Sequence, residues 1–268
     1  MIIEIEDLSM AELEPFTCTS EARLIDHYGA DGGIFIAESP KVILTALDSG
    51  YEPVSVLAER KCISSQGAGI ADRCADIPVY TADSELLTRL TGYKMTKGIL
   101  CAMKRKPLKE PGQILKNARR IAVLEDIMNQ TNIGAVFRSA AALGIDAVLL
   151  TSSCSDPLFR RTIRVSMGTV FQLPWAYLAE GSPEYVRYLG KMGFTTAAMA
   201  LRNDTVSIAD PELHSAEKLA IILGTEGSGL KDSTISACDF TVKIPMYNGV
   251  DSLNVAAAGA IAFWEMKK

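Results

Sequence analysis

A chain of 268 residues with 48% hydrophobic and 22% charged residues has enough apolar material for one large core or two small ones, and this composition argues against disorder. A net charge of −5 argues against a protein that coats nucleic acid along its whole surface. Six cysteines (Cys18, Cys62, Cys74, Cys101, Cys154, Cys238) without a C-x-x-C pair, and only His27 and His214 beside them, suggest neither a zinc site nor a disulfide framework, so no metal is expected.

The opening MIIEIEDLSM has no basic stretch followed by an apolar one, and the most apolar runs, LAIILG and IDAVLLT, are too short to span a bilayer. The expectation is a cytoplasmic protein with reduced thiols and no membrane partner. Either histidine could serve as a catalytic base; a surface or helix-end histidine is the simpler reading of both.

In chain order, GIFIAES, SPKVILTALDSGY and EPVSVLAER read as strand, helix and strand, a crossover unit of an α/β domain. ISSQGAGIADRCAD reads as a loop with a short helix, and IPVYTADSELLTRLTG as a strand leading into a helix that Gly92 ends. KRKPLKEPGQILKN, residues 104–117, mixes two prolines and a glycine with charges and marks a boundary. The division is a domain over residues 1–105, a linker over 106–116 and a second domain over 117–268. Residues 1–110 carry 12 Lys+Arg against 17 Asp+Glu, while residues 111–268 carry 15 of each. Within that acidic first part, Lys94, Lys97, Lys104, Arg105, Lys106 and Lys109, followed by Lys116, Arg119 and Arg120, form a basic strip that suits an anionic partner or a solvated linker equally.

After the boundary, RRIAVLEDI reads as a strand, NIGAVFRSAAALG as a helix closed by Gly144 and DAVLLT as a strand. DPLFRRTIRVSMG reads as a helix, QLPWAYLA as extended and SPEYVRYLGKMG as a helix with Gly193 at its end. TTAAMAL, LAIILG and FTVKIPM read as strands, and DSLNVAAAGAIAFWEMKK as a last helix. Such alternation predicts a parallel sheet covered on both faces, and the chain reads as α/β twice over.

Three stretches could carry chemistry. Asn132 is expected where a helix begins at the carboxyl edge of the sheet, the usual ligand position of open α/β folds. On the same helix Arg138 has Gly134, Ala135, Ala141, Ala142 and Ile145 as neighbours, so it must reach out to solvent or meet an anion such as a nucleic-acid phosphate. Next, LAIILG runs straight into TEGSGL, where Gly224, Gly227 and Gly229 permit a tight, ligand-approaching backbone. Its G-x-x-G-x-G order is neither the dinucleotide fingerprint nor a phosphate loop, which argues against a nicotinamide or ATP site. Within it Glu226 is the one charge. Last, in IPMYNGVDSLNVAAAGA, Ser252 is expected as N-cap of the final helix. Asn254 is a mediocre helix former there, and Ala256-Ala257-Ala258-Gly259-Ala260 lets a neighbour approach closely.

Together, in this order, these stretches resemble the three signature motifs of the SpoU/TrmH family of RNA ribose methyltransferases, over roughly residues 117–268. The resemblance implies an α/β domain with a deep trefoil knot, an exception to the usual rules of chain connection, and a bound S-adenosyl-L-methionine. By match, Leu223, Gly224, Glu226, Ile244, Met246 and Leu253 would line the site of that cofactor. Arg138 would assist at the ribose 2′-hydroxyl. Because a free guanidinium stays protonated, stabilisation of the developing alkoxide is the sounder role. Asn132, Glu226, Ser252 and Asn254 would fix Arg138, the ribose and the loops. The resemblance also implies a homodimer, its site completed near the subunit interface.

One departure is Ala256, where the family commonly has Ser. Residues 1–105 are similar in layout to a small ribosomal-protein-like RNA-recognition domain, through GIFIAESPKVILTAL. The expected activity is S-adenosylmethionine-dependent 2′-O-methylation of RNA, ribosomal RNA being favoured over transfer RNA. The alternative is a non-catalytic RNA-binding protein on the same fold.

Overall fold

The computed structural model describes residues 1–17, 20–26, 33–95, 97–202 and 204–266; Cys18 and His27 lie outside the described residues. The strands are β1 (Ile2–Glu4), β2 (Ile34–Glu38), β3 (Pro53–Glu59), β4 (Val79–Ala82), β5 (Ile99–Lys104), β6 (Arg120–Leu124), β7 (Ala147–Leu150), β8 (Trp175–Tyr177), β9 (Thr195–Met199), β10 (Val206–Ser207), β11 (Leu219–Leu223) and β12 (Phe240–Lys243). The α-helices are α1 (Glu14–Thr17), α2 (Glu21–Asp26), α3 (Pro40–Asp48), α4 (Arg60–Ile63), α5 (Ala68–Arg73), α6 (Ser84–Thr91), α7 (Pro111–Leu115), α8 (Gln130–Ala142), α9 (Arg160–Ser166), α10 (Glu184–Lys191), α11 (Pro211–Ser215), α12 (Asp232–Ala237) and α13 (Val255–Glu265).

The chain divides into two compact units, the first made of Met1–Pro107 with Leu158–Phe171 and the second of Leu108–Pro157 with Gln172–Lys268. In the first, the sheet order is β1-β4-β3-β5-β2. Strands β1, β4 and β3 are parallel, whereas β5 runs antiparallel to both β3 and β2. Expected sequence elements account for β2, α3, β3, β4 and α6. Asp83 caps α6 by accepting the Leu86 N–H at 2.8 Å, and Gly92 closes it at φ +77°, where a glycine has no Cβ to clash.

Two features depart from the sequence reading. Strand β5, not among the expected elements, runs up to Lys104 at the start of the basic boundary. Segment Leu158–Phe171, assigned by sequence to the second domain, belongs to the first unit. Its Leu158, Ile163, Val170 and Phe171 are buried, and the Phe171 ring packs tilted against those of Phe35 and Tyr51, with centroids 5.4 Å and 5.0 Å away. Arg160 of α9 places its guanidinium 3.0 Å from the buried Glu38 carboxylate and over the Tyr93 ring at 4.6 Å. Apolar burial and a charge needing a partner thus draw this segment to the first sheet.

The basic strip is likewise partly structural. Lys104 pairs with Glu52 at 2.9 Å, and Lys106 donates to the Ser49 carbonyl at 2.6 Å while lying 4.5 Å over the Tyr51 ring.

The second unit holds the expected parallel sheet, in the order β10-β12-β9-β11-β6-β7-β8, every pairing parallel. One face, through Ile121, Val123, Ala220 and Ile222, packs on Leu115 of α7 and on Tyr185, Val186 and Leu189 of α10. Residues one position along point to the other face, as pleating requires; there Leu223 meets Gly259 of α13, which packs on α8. Helix α8 forms because Asn129 caps it, accepting from the N–H groups of Thr131 and Asn132, and because Ile133, Val136, Phe137 and Ala140 make one buried face.

Arg120 opens β6 and is 3% exposed. Its guanidinium donates to four carbonyls: Met266 at 2.9 Å, Arg119 at 3.2 Å, Glu217 at 3.1 Å and Ala216 at 2.9 Å. It therefore ties the end of α13 to the approach to β11, and burial holds its pKa below the usual arginine value. We expect Arg120→Met to lose about 3 kcal/mol of stability, since buried carbonyls lose their donors, seen as a lower denaturant midpoint at unchanged slope. Arg120→Lys should recover only part, because one ammonium cannot reproduce the planar fork; a midpoint in Arg120→Met equal to wild type would refute the anchoring role.

Candidate active site

The loops that leave the carboxyl ends of β9, β11 and β12 converge on one cavity of about 430 Å³, within the usual range of small-molecule sites. It gathers Leu223, Gly224 and Glu226 from the β11 loop with Ile244, Met246, Ser252 and Leu253 from the long loop before α13. Residues 30 apart in sequence are thus brought together. Met199 at the end of β9 and Ala200, Leu201 and Arg202 after it also line it, and nothing in the sequence singled these out.

The shape of the β11 loop follows from a missing side chain. A Cβ on Gly224 would stand 2.5 Å from the Gly229 carbonyl carbon and from the Leu230 nitrogen, closer than any real Cβ contact. Only glycine lets the returning backbone cross there. Gly229 takes φ +70° and donates its N–H to the Thr225 carbonyl at 3.0 Å, closing the turn. Glu226 sits exposed on that turn, with no hydrogen bond or ion pair among the described residues.

The polar residues of the first and third motifs meet beside the cavity. Asn254 donates through Nδ2 to Asn132 Oδ1 at 3.0 Å, joining the first turns of α8 and α13. The N-cap of α13 is Asn254, whose Oδ1 accepts the Ala256 N–H at 3.0 Å. This corrects the sequence expectation for Ser252: the helix starts later, and Ser252 faces the cavity instead of capping. Asn132 lies inside the first turn of α8, where Asn129 holds the cap. Arg138 projects from the same helix, exposed and with no hydrogen bond or ion pair among the described residues; it does not line the cavity.

Two acidic residues at the end of β6 escaped the sequence reading. Glu125 is 1% exposed. Its Oε2 accepts the Tyr185 and Thr234 hydroxyls, both at 2.5 Å, and its Oε1 accepts the Lys231 N–H at 2.9 Å. Burial, then the neighbouring Glu125, pushes the Tyr185 phenol far above its ordinary pKa, so it stays a donor. Asp126, at φ +57°, meets the Lys231 ammonium at 2.8 Å. Burial pushes its carboxyl up, but hydrogen bonds from Lys231, Ser153 and Thr151 outweigh this and hold it below the ordinary value. A carboxylate ending a strand looks like a surface residue in sequence; nothing there marks it as buried.

His214 lies at the end of α11, 3.9 Å from Glu265, outside the cavity lining. The Cys154 and Cys238 thiols are pushed up by burial, Cys238 to about 12, which makes both poor nucleophiles. Among the described residues no group of three or more His, Cys, Asp or Glu side chains could hold a metal ion, and no helix is long and apolar enough to cross a membrane.

Residues 119–264 match the model of the SpoU rRNA Methylase family. The chain is 35% identical over 235 residues to an "Uncharacterized tRNA/rRNA methyltransferase" of Mycobacterium tuberculosis, covering 87% of this chain and 80% of that one. It is 30% identical over 157 residues to the 23S rRNA (guanosine(2553)-2′-O)-methyltransferase RlmP of Bacillus subtilis, covering 59% of this chain and 61% of that one. Its fold is that of an AdoMet-bound rRNA methyltransferase from Sinorhizobium meliloti, with a TM-score of 0.83 at 20% identity over 99% of this chain and 97% of that one. With a family model matched from β6's approach to the last turn of α13, the chain belongs to the SpoU rRNA methylase family of S-adenosylmethionine-dependent RNA methyltransferases.

Proposed function

We propose that the protein methylates a ribose 2′-hydroxyl in RNA, with the methyl donor bound in the cavity at the ends of β9, β11 and β12. The observation that carries this reading is the meeting of Leu223, Gly224, Glu226, Ile244, Met246 and Leu253 around one cavity. The residues fit S-adenosylmethionine. Gly224 and Gly229 leave backbone, not side chain, against the space; Leu223, Ile244, Met246 and Leu253 give it apolar walls for an adenine. The exposed Glu226 carboxylate, without a partner among the described residues, suits the positive charge of the donor. When bound, the donor supplies an electrophilic methyl group at a sulfonium.

The chain's own residues then have two tasks. The loops hold the donor and exclude water from it. Arg138, a planar positive fork with no hydrogen bond or ion pair among the described residues, suits an RNA phosphate and the negative charge that develops on the 2′-oxygen. The Asn132–Asn254 bond keeps the helix bearing Arg138 in register with the loop that ends in Leu253. Positioning of this kind supplies a large share of the rate in a reaction that needs no metal.

Ribosomal RNA is the favoured substrate class, supported by the named substrate of the Bacillus subtilis relative, and the cytoplasm the compartment. A trefoil knot is supported by the likeness in fold to the rRNA methyltransferase from Sinorhizobium meliloti. A homodimer through the second unit is supported by α13, where Ala257, Ile261 and Trp264 form an exposed stripe at helical spacing, with Ile261 40% and Trp264 58% exposed.

With labelled donor and purified ribosomal and transfer RNA as acceptors, wild type should label the ribosomal fraction. Arg138→Ala should cut turnover about a hundredfold or more while its heat of binding S-adenosylmethionine stays at the wild-type value; undiminished methylation would remove Arg138 from the chemistry. RNA binding without any heat from the donor would favour the non-catalytic alternative. Gly224→Ala should weaken donor binding tenfold or more in the same calorimeter, and unchanged affinity would move the donor elsewhere. Ile261→Glu with Trp264→Glu should sediment as a monomer where wild type sediments as a dimer; a wild-type monomer at micromolar concentration would refute the assembly.

A further inference from the structure

The loop Gly224–Leu230 lines the cavity; its tip, Glu226–Gly229, is exposed, and its one apolar anchor is Leu230, buried at its end. At its start it continues β11. At its end, the next residue is Lys231, and both halves of that residue are gripped by consecutive carboxylates at the end of β6. Glu125 Oε1 takes the Lys231 main-chain N–H at 2.9 Å, and Asp126 takes the ammonium at 2.8 Å. The Glu125 N–H donates to the Leu223 carbonyl at 2.8 Å, so the same residue touches both ends of the loop. Its second oxygen is occupied by Tyr185 of α10 and Thr234 of α12. Glu125 does not line the cavity, and both of its oxygens are engaged inside the protein.

A carboxylate buried to this degree is a costly way to gain stability, since an apolar residue of similar volume often serves as well or better. What an apolar residue cannot do is fix where a backbone N–H goes. We propose that Glu125 is a positioning residue for the donor cavity: by holding the Lys231 main chain it sets the path of the Gly224–Leu230 loop. Asp126 and the Lys231 side chain add a partly exposed ion pair of the kind that contributes little, so the main-chain bond is the element that matters. The inference rests on the donor-site reading above.

Calorimetric titration with S-adenosylmethionine, together with steady-state methylation, tests it. Glu125→Met removes the acceptor and keeps the volume; its donor Kd should rise tenfold or more, and its donor KM likewise, with kcat regained at saturating donor. Glu125→Gln restores an acceptor for the Lys231 N–H and should return the Kd to within about threefold of wild type. Lys231→Pro deletes the N–H at a residue whose φ is already −62°, and should match Glu125→Met. Lys231→Ala deletes only the ammonium and should bind within about threefold of wild type. Tyr185→Phe should lower Tm and leave donor Kd unchanged. If Glu125→Met binds the donor as wild type does, or if Lys231→Pro equals Lys231→Ala, the positioning role is overturned. Should Glu125→Met fail to fold, the Lys231 pair still decides. A wild type that gives no heat with S-adenosylmethionine overturns the donor site itself, a different result from a wild type and a Glu125→Met that bind equally well.

Discussion

Removing a charged side chain from water costs several kcal/mol unless its hydrogen-bonding groups are met inside the protein, and β6 does this at both of its ends. Between them Ile121, Ala122, Val123 and Leu124 are wholly buried, so the strand is the centre of the second unit. At the amino end Arg120 reaches the last turn of α13 and the approach to β11 through four carbonyls. At the carboxyl end Glu125 reaches α10, α12 and the loop after β11. Because each charge is satisfied only when those distant elements are in place, the parts of the unit must form together. Their agreement is what leaves a single native arrangement.

The cavity is a consequence of that frame. Loops leave the sheet at β9, β11 and β12, and what turns three loose exits into a site is how closely they can approach. At Gly224 the returning backbone occupies the space of a missing Cβ, and a Cβ on Gly259 would stand 3.0 Å from Leu223 Cδ1. A Cβ at either place would push the wall outward. The small-residue run of α13 is therefore explained on its inner side by Leu223 and the sheet, without any appeal to a partner.

Much of this was legible in the sequence because it rested on local rules. Alternation of strands and helices foretold the parallel second sheet, and glycine after an apolar strand foretold a ligand-approaching turn. Leu223, Ile244, Met246 and Leu253 follow from no local rule; the resemblance to the family's motifs points to them. What stayed hidden was long-range. Strand β5 was missed because a run of buried residues on both faces shows no alternation and runs directly into Lys104, Arg105 and Lys106. Arg120 looked like part of a basic strip, since nothing local tells a solvated arginine from one that finds carbonyls nearly 150 residues away. Ser252 was the natural cap by residue type, but Asn254 competes for the same role and wins because it can also bond Asn132. Leu158–Phe171 reads as one more helix of its neighbours and joins the first unit only through contacts with Glu38, Phe35 and Tyr51.

The two sides of the proposed reaction are held in different ways, and the chemistry explains why. A donor used for every turnover can be met by a rigid wall, so the loop that lines its cavity is tied through Lys231 to a buried carboxylate and through Gly224 to its own crossing. An acceptor that is part of a long polyanion arrives with its own charges. An arginine already paired inside the protein would have to break that pair before stabilising a phosphate or an alkoxide, and would lose free energy in doing so. Arg138 has no such pair among the described residues, while the helix that carries it is fixed at its first turn by Asn129 and by the Asn132–Asn254 bond. In the proposed reaction the preorganisation would lie in the backbone of α8, with the guanidinium left for the nucleic acid to complete.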